Sequence, residues 1–366
     1  MIGGTHGAAG HTCLDMTTHE SHAATNLSAK ERGRDPASLF EAARAGDRAA
    51  LGRLLSLVER SGPDARKVSR LVFAFGAARH VVGVTGAPGA GKSTLTDKLI
   101  AVIRAEGSKV GVLAVDPSSP YTGGAILGDR IRMSGHATDD GVFIRSMATR
   151  GHLGGLALAT PEAVRVLAAC GYPTILVETV GVGQVEVAVA AAADTTVVVV
   201  NPGWGDSVQA AKAGLLEAAD VFVVNKADRP GAEQTRRDLE SMLDLSVGAS
   251  SGRHAPEAAA KDPTAWRPPV LATTAVSPTG EGIRELWDAI EAHRRHLEDT
   301  GELETRRRRR MLEEARSVLL AQVASELQEA ERTEGYARLE AALARREIDS
   351  YEAAAAWRAA SGISPM

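Results

Sequence analysis

The chain has 366 residues, enough for one large domain with appendages. Its 42 basic and 46 acidic residues leave a net charge of −4, which removes any bulk case for a nucleic-acid binder. An apolar content of 44% with only 4% aromatics calls for a core of Val, Ala and Leu, and two cysteines, Cys13 and Cys170, exclude a disulfide framework and a CxxC metal pair. No apolar run approaches ~18 residues and no basic-then-apolar segment opens the chain, so a soluble cytoplasmic protein without a membrane span is expected.

Residues 1–34 are rich in Gly, Ala, Thr and His without periodicity and read as a disordered tail. The irregular spacing of His6, His11, Cys13, His19 and His22 favours an unstructured segment over a metal-handling arm. Residues 35–78 carry apolar residues at helical spacing, broken at "SGPD", and predict a small helical extension. Residues 79–298 alternate helices with the β-branched runs "VVGVT", "KVGVLAV", "VFIRS", "TILVET", "TTVVVV", "VFVVN" and "PVLATT". Continuous apolar strands between helices predict an α/β fold with a parallel sheet covered on both faces, whose ligands bind at the C-terminal strand ends. Residues 299–366 predict a helical arm, with Leu312, Val318, Leu319, Val323 and Leu327 roughly on one face. An interdigitated homodimer explains that face better than packing back on the same domain. The run Arg306 to Arg310 reads as a solvated helix face.

The segment "GAPGAGKSTL" has the spacing Gly86-x-x-x-x-Gly91-Lys92-Ser93, between a buried strand and an amphipathic helix. A phosphate chain needs several converging backbone N–H groups, which glycines and a helix N-terminus provide. Gly86, Ala87, Pro88, Gly89, Ala90, Gly91, Lys92, Ser93 and Thr94 are the candidate cradle, with Lys92 on the β- and γ-phosphates and Ser93 on Mg²⁺. The strand "VFVVN" runs into Asn225-Lys226-Ala227-Asp228. One carboxylate, Asp228, accepts both N1–H and the 2-amino group of guanine, and a buried Asp228 rejects adenine, which lacks both donors. Lys226 lays its stem over the base. GTP is the predicted ligand. Glu178, at the end of "TILVET", suits Mg²⁺ held through water, and Gly181 places an N–H for the γ-phosphate, so 180–186 is a candidate switch. Asp116 and Asp129 flank a Gly/Ser-rich loop and are read as Mg²⁺ ligands, with helix capping the alternative. No residue is a self-evident catalytic base; Gln184 is the candidate for orienting water.

The motifs "TGAPGAGKST", "AVDPSSPYTGGAILGDRIRM", "VFIRSMATRGHLGGLA", "VETVGVGQVE", "NKAD" and "PPVLATTAVSPTGEGIRELW" together resemble the methylmalonyl-CoA mutase-associated GTPases of the MeaB/ArgK type. The likeness runs from about residue 36 to the end. It implies a P-loop GTPase core related to metallochaperone GTPases, a dimerising C-terminal arm, and GDP as the product state. It also implies a partner, an adenosylcobalamin-dependent acyl-CoA mutase whose cobalamin loading, protection or reactivation is gated by GTP. Carried over residue by residue, Ser93, Asp116, Asp129 and Glu178 surround Mg²⁺, and Thr274-Ala275-Val276 take the place of the second guanine loop, which usually reads Ser-Ala. In the third switch Asp206, Gln209, Lys212 and Gly214 are retained while Ser207, Ala210 and Ala213 depart, which leaves Lys212 as the cation shared with the family form. A nickel-insertion GTPase is the alternative reading, against which the tail's irregular spacing weighs.

Overall fold

The computed structural model describes residues 35–60, 62–116, 133–136, 138–148, 153–179, 189, 191–203, 219–249 and 265–360. The expected tail, 1–34, lies outside them. Asp35 opens the described chain: its carboxylate accepts from the Ser38 N–H at 2.9 Å and caps α1 (Pro36–Arg44), with Pro36 at a position where a missing N–H costs nothing. Helices α2 (Arg48–Arg60) and α3 (Pro63–Phe73) complete the helical extension that the spacing predicts.

All seven predicted strands form: β1 (His80–Gly86), β2 (Val110–Asp116), β3 (Val142–Ala148), β4 (Thr174–Thr179), β5 (Thr195–Val200), β6 (Val221–Asn225) and β7 (Val270–Thr273). They make one sheet in the order β3-β2-β4-β1-β5-β6-β7 with every neighbouring pair parallel. Between and after them run α4 (Lys92–Ala105), α5 (Leu153–Ala169), α6 (Ala232–Ala249) and α7 (Ile283–Asp299). Alternate strand residues face opposite layers, as the period of two requires. Val82 and Val84 of β1 pack with Leu95, Leu99, Ile103, Leu286, Trp287 and Ile290 of α4 and α7. Val81, Leu113, Val115, Ile175 and Val177 face the other way, against α5 and the extension, where Leu51, Leu54, Leu55 and Val58 of α2 are buried. Val198, Val200, Phe222 and Val224 complete that face under α6. The extension is thus part of the core, and truncating Leu54, which is fully buried, would cost about 2–5 kcal/mol.

The C-terminal region holds α8 (Glu302–Ala330), α9 (Glu334–Ala344) and α10 (Ser350–Ala360). The arginine run departs from the solvated face expected of it. Arg306 donates to Asp220 Oδ1 at 3.0 Å, Arg307 to Asp194 Oδ2 at 2.7 Å, and Arg310 to Asp194 Oδ1 and the Ala193 carbonyl. Arg307 also donates to the carbonyls of Ala78 at 2.9 Å and Arg79 at 3.2 Å. Arg310 is four residues from Arg306 and three from Arg307, spacings that share a helix face, and Asp194 is completely buried beneath them. Each aspartate also accepts a backbone N–H from a neighbouring strand, Asp194 from Val81 at 3.0 Å and Asp220 from Thr196 at 2.8 Å. The base of the sheet is therefore clasped to the first turns of α8. Beyond Glu314, which pairs with Arg165 at 2.8 Å, the helix leaves the domain: Val318, Leu319 and Leu320 are exposed, while Val323 and Leu327 are half-buried. No helix among the described residues is long and apolar enough to cross a membrane.

Candidate functional site: a nucleotide cradle at the C-terminal strand ends

The cradle begins where β1 ends. Gly86 has φ +137°, and a Cβ there would stand 2.0 Å from the Val199 carbonyl oxygen of β5, so only glycine lets the chain turn this close to the neighbouring strand. Gly91, at φ +92°, opens α4; its absent Cβ leaves room for the Asn225 amide, which would lie 2.3 Å from it. Lys92 is buried and donates from Nζ to the carbonyls of Gly86 at 2.9 Å and Ala87 at 3.1 Å, which curls the side chain back over the loop. Pro88 lies in the exposed part of the loop and Ala90 in its buried floor, and Thr94 follows in the first turn of α4. A helix start presents N–H groups outward along a positive dipole end, the arrangement that a phosphate needs.

Ser93 Oγ donates to Glu178 Oε1 at 2.5 Å, and Glu178 is fully buried. Glu178 stands in register with Val84 of β1 on one side and Ala114 of β2 on the other, so the sheet holds it rigidly below the cradle. A hydroxyl and a carboxylate side by side make a hard oxygen donor set that fits Mg²⁺. Asp116 ends β2, whose preceding residue Val115 registers with Thr179; its side chain lies outside the described residues. Asp129, Gly181, Gln184, Asp206 and Lys212 also lie outside them, together with the candidate switch 180–186.

At the next strand over, Asn225 ends β6 and wires the loops together. Its Nδ2 donates to the Ala90 carbonyl at 2.8 Å, while its Oδ1 accepts from Thr273 Oγ1 at 3.1 Å and from the Ala275 N–H at 3.2 Å. Lys226 adopts φ +60° and sends Nζ to the Gly89 carbonyl at 2.6 Å, laying its stem across the cradle. The Ala227 N–H donates to the Thr273 carbonyl at 3.0 Å, and Thr274 is paired with Glu281 across the following turn. Thr274 and Ala275 are buried and Val276 is exposed. Asp228 departs from expectation in one respect: it is exposed, because the chain leaves the strand at Asn225 and turns outward through 227–230. Its carboxylate is therefore open to solvent rather than enclosed by the strand ends.

The spacing of the motifs locates the loops in the chain but not the struts between them, or the clasp at the far end. In the sequence Asn225 is one letter of a motif, whereas in the fold it joins the Ala90 loop to Thr273, the last residue of β7, and to Ala275 just beyond it. Asp194 and Asp220 carried a visible signal, since each follows an alanine and immediately precedes or enters an apolar strand, in "ADTTVVVV" and "ADVFVVN".

The profile of the family described as Methylmalonyl Co-A mutase-associated GTPase MeaB matches residues 51–332. A putative GTPase of Pyrococcus abyssi is 48% identical over 316 residues, covering 86% of this chain and 94% of the relative. GTPase ArgK of Escherichia coli is 37% identical over 278 residues, covering 74% and 79%. A crystal structure described as a LAO/AO transport system kinase superposes with a TM-score of 0.63 at 26% identity, over 91% of this chain and 98% of that one. Together with a P-loop at the C-terminal edge of a parallel sheet, these likenesses identify the chain as a member of the methylmalonyl-CoA mutase-associated GTPase (MeaB/ArgK-type) family.

Proposed function

We propose that the protein is a Mg²⁺-dependent GTP-hydrolysing chaperone that gates cobalamin loading of an adenosylcobalamin-dependent acyl-CoA mutase and protects or reactivates it. Methylmalonyl-CoA mutase or a close relative is the partner. The observation that carries the nucleotide part is the wiring of Asn225 and Lys226 onto the Ala90 and Gly89 carbonyls, which makes the base-reading and phosphate-holding loops one site. The partner reading is supported by the family's description.

In this reading residues 86–94 hold the phosphates, with Lys92 leaving the loop carbonyls for the β- and γ-phosphate oxygens. Asp228 accepts from the guanine edge, the Lys226 stem covers its face, and the Thr274-Ala275-Val276 loop closes the pocket around it. Ser93, Asp116, Asp129 and Glu178 hold Mg²⁺, which when bound offsets the charge of the phosphates. The Gly181 N–H meets the γ-phosphate only before hydrolysis, so 180–186 reports the nucleotide state. Gln184 orients the attacking water, and Lys212 completes the site when the mutase is bound. The protein acts in the cytoplasm as a homodimer joined through residues 299–366, without contact with nucleic acid or membrane.

Single-turnover hydrolysis with and without candidate mutases tests the reading. Slow turnover alone and an acceleration of ~10³–10⁵-fold by one cognate mutase are expected, since a partner that completes a phosphoryl-transfer site supplies gains of that order. Equal rates with every acyl-CoA mutase would remove the partner, and no phosphate release at all with Mg²⁺ present would remove the activity.

A further inference from the structure

The segment leading into β3 runs along one face of α4, the helix that opens from the P-loop. Ser93, Asp97 and Arg104 of α4 are successively four and seven residues apart, spacings that set them on a single stripe. Asp97 lies about 6 Å and Arg104 about 16 Å along the axis from Ser93. Ser93 is the residue whose hydroxyl meets Glu178 at 2.5 Å, where the hard oxygen donors gather.

Two side-chain contacts fasten the segment to that stripe. At the far end Arg104 donates to both carboxylate oxygens of Asp139, at 2.8 Å and 2.9 Å. Gly141 leaves room for the guanidinium, since a Cβ there would stand 2.1 Å from Arg104 Cζ. One helical turn from Ser93, His136 Nε2 lies 3.2 Å from the Asp97 carbonyl oxygen and 3.2 Å from Asp97 Oδ1. A carbonyl only accepts, so Nε2 carries the hydrogen and the imidazole is the donor. The 3-10 turn Ser134–His136 closes with the His136 N–H donating to the Met133 carbonyl at 3.2 Å, and Met133 is buried in the same layer as Leu95 and Leu99 of α4. Neither His136 nor Asp97 belongs to a nucleotide motif of the sequence.

These contacts give the segment a direction. From Asp139 back to His136 it passes from Arg104 to Asp97, about 10 Å toward the N-terminus of α4. Met133 comes next, and Asp129 stands four residues before it, within about 14 Å of chain. Followed this way, the described chain reaches the loop after β2 while heading for the Ser93 end of α4.

We propose that His136 is a positioning residue for the metal site: its bond to Asp97 holds the end of the loop against α4 and so delivers Asp129 to the Mg²⁺ that Ser93 and Glu178 face. The inference rests on the reading of Asp129 as a Mg²⁺ ligand. Asp139 and Arg104 align the segment, while the His136–Asp97 contact sets how far it reaches. A carboxylate that is not held in place must be ordered when the metal binds, and that cost is read as weaker metal affinity.

Mn²⁺ probes the site without turnover, because it takes the same hard oxygen ligands and its electron paramagnetic resonance signal reports the free ion. Full-length protein is titrated with Mn²⁺ in the presence of guanosine 5′-(β,γ-imido)triphosphate held below the protein concentration. His136→Ala should weaken Mn²⁺ binding about 10-fold, an effect typical of removing a group that supports a metal ligand. His136→Gln keeps an N–H donor at the same reach and should restore most of the loss; a Gln variant as weak as the Ala variant would remove the hydrogen bond from the argument and overturn it. Analogue affinity in EDTA should be the same in wild type and both variants. Asp129→Asn separates the inference from the reading beneath it. If Asp129→Asn binds Mn²⁺ like wild type, Asp129 is not a ligand and the reading fails, taking the inference with it. If Asp129→Asn binds weakly while His136→Ala binds like wild type, the reading stands and the strut is refuted. With both residues changed to Asn and Ala, Mn²⁺ affinity should fall no further than in Asp129→Asn alone, because His136 acts through Asp129. A further fall, or a loss of analogue affinity in EDTA, would show that His136 shapes the helix rather than the loop and would overturn the proposal.

Discussion

Asp228 and Asn225 are neighbours in one motif and have different work, which single substitutions separate. Asp228 is exposed, and in the proposed function it pairs with the base, so Asp228→Asn should change preference. Each lost charge-assisted bond is worth about 1.5–3 kcal/mol, and the Asn amide donates to the C2 carbonyl of xanthine where guanine offers an amino group. GTP affinity should fall at least ~10-fold while xanthosine triphosphate gains. A mutant that keeps its GTP preference in competition binding would remove Asp228 from base reading. Asn225 joins Ala90, Thr273 and Ala275, so Asn225→Ala should weaken GTP, GDP and xanthosine nucleotides alike, without altering their order. A changed order would show that Asn225 touches the base. The motif stands out in the sequence because a carboxylate after a buried strand has few chemical uses. The contacts of Asn225 do not, since its partners lie 135 and 50 residues away and leave no local pattern.

At the scale of elements, the strands were legible for a simple reason. Runs such as "TTVVVV" and "VFVVN" are fully buried in the sheet, and a parallel sheet covered on both faces leaves no room for polar alternation. The clasp on α8 was not legible, because a run of arginines looks solvated until Asp194, 113 residues earlier, is brought beneath it. Arg307→Ala should remove a partner of a fully buried carboxylate and destabilise the domain by about 3–5 kcal/mol, read from denaturant midpoints. A loss below ~1 kcal/mol would mean that the clasp is solvated after all. The pH dependence has a definite sign. Burial opposes the Asp194 charge, but Arg307 and Arg310 outweigh it and lower the carboxyl, and Glu291 is held at about 2. Their stabilisation is therefore complete above the unfolded carboxylate range near ~4 and is lost as the pH falls from there toward ~2. Acid unfolding should shift to higher pH in Arg307→Ala. In the segment 201–214 the test is kinetic: Lys212→Ala should leave GTP affinity and intrinsic turnover nearly intact while sharply reducing stimulation by the mutase. Equal stimulation of mutant and wild type would take Lys212 out of the mechanism.

For the whole molecule, the far part of the arm is the unexplained surface. No residue of α9 is buried, and Leu319 and Leu320 of α8, Leu343 of α9 and Tyr351 of α10 are all exposed. Tyr336 and Trp357 pack on each other at 4.9 Å, so α9 and α10 form a hairpin with little of the domain beneath it. Apolar residues exposed along three helices are hard to reconcile with a monomer and are what a second copy would cover. The structure also decides where to cut. A stop at Thr300 would delete Arg306, Arg307 and Arg310 and leave Asp194 buried without its guanidinium partners, so that fragment should be unstable whatever the assembly. A stop after Ser317 keeps the clasp and the Arg165–Glu314 pair while removing Val318 onward. Full-length protein should scatter light as a dimer at micromolar concentration, and the chain ending at Ser317 as a monomer that still binds GDP, because every nucleotide motif precedes the cut. A full-length monomer would refute the dimer, and a Ser317 chain that remains dimeric would move the interface off the arm and onto the domain itself.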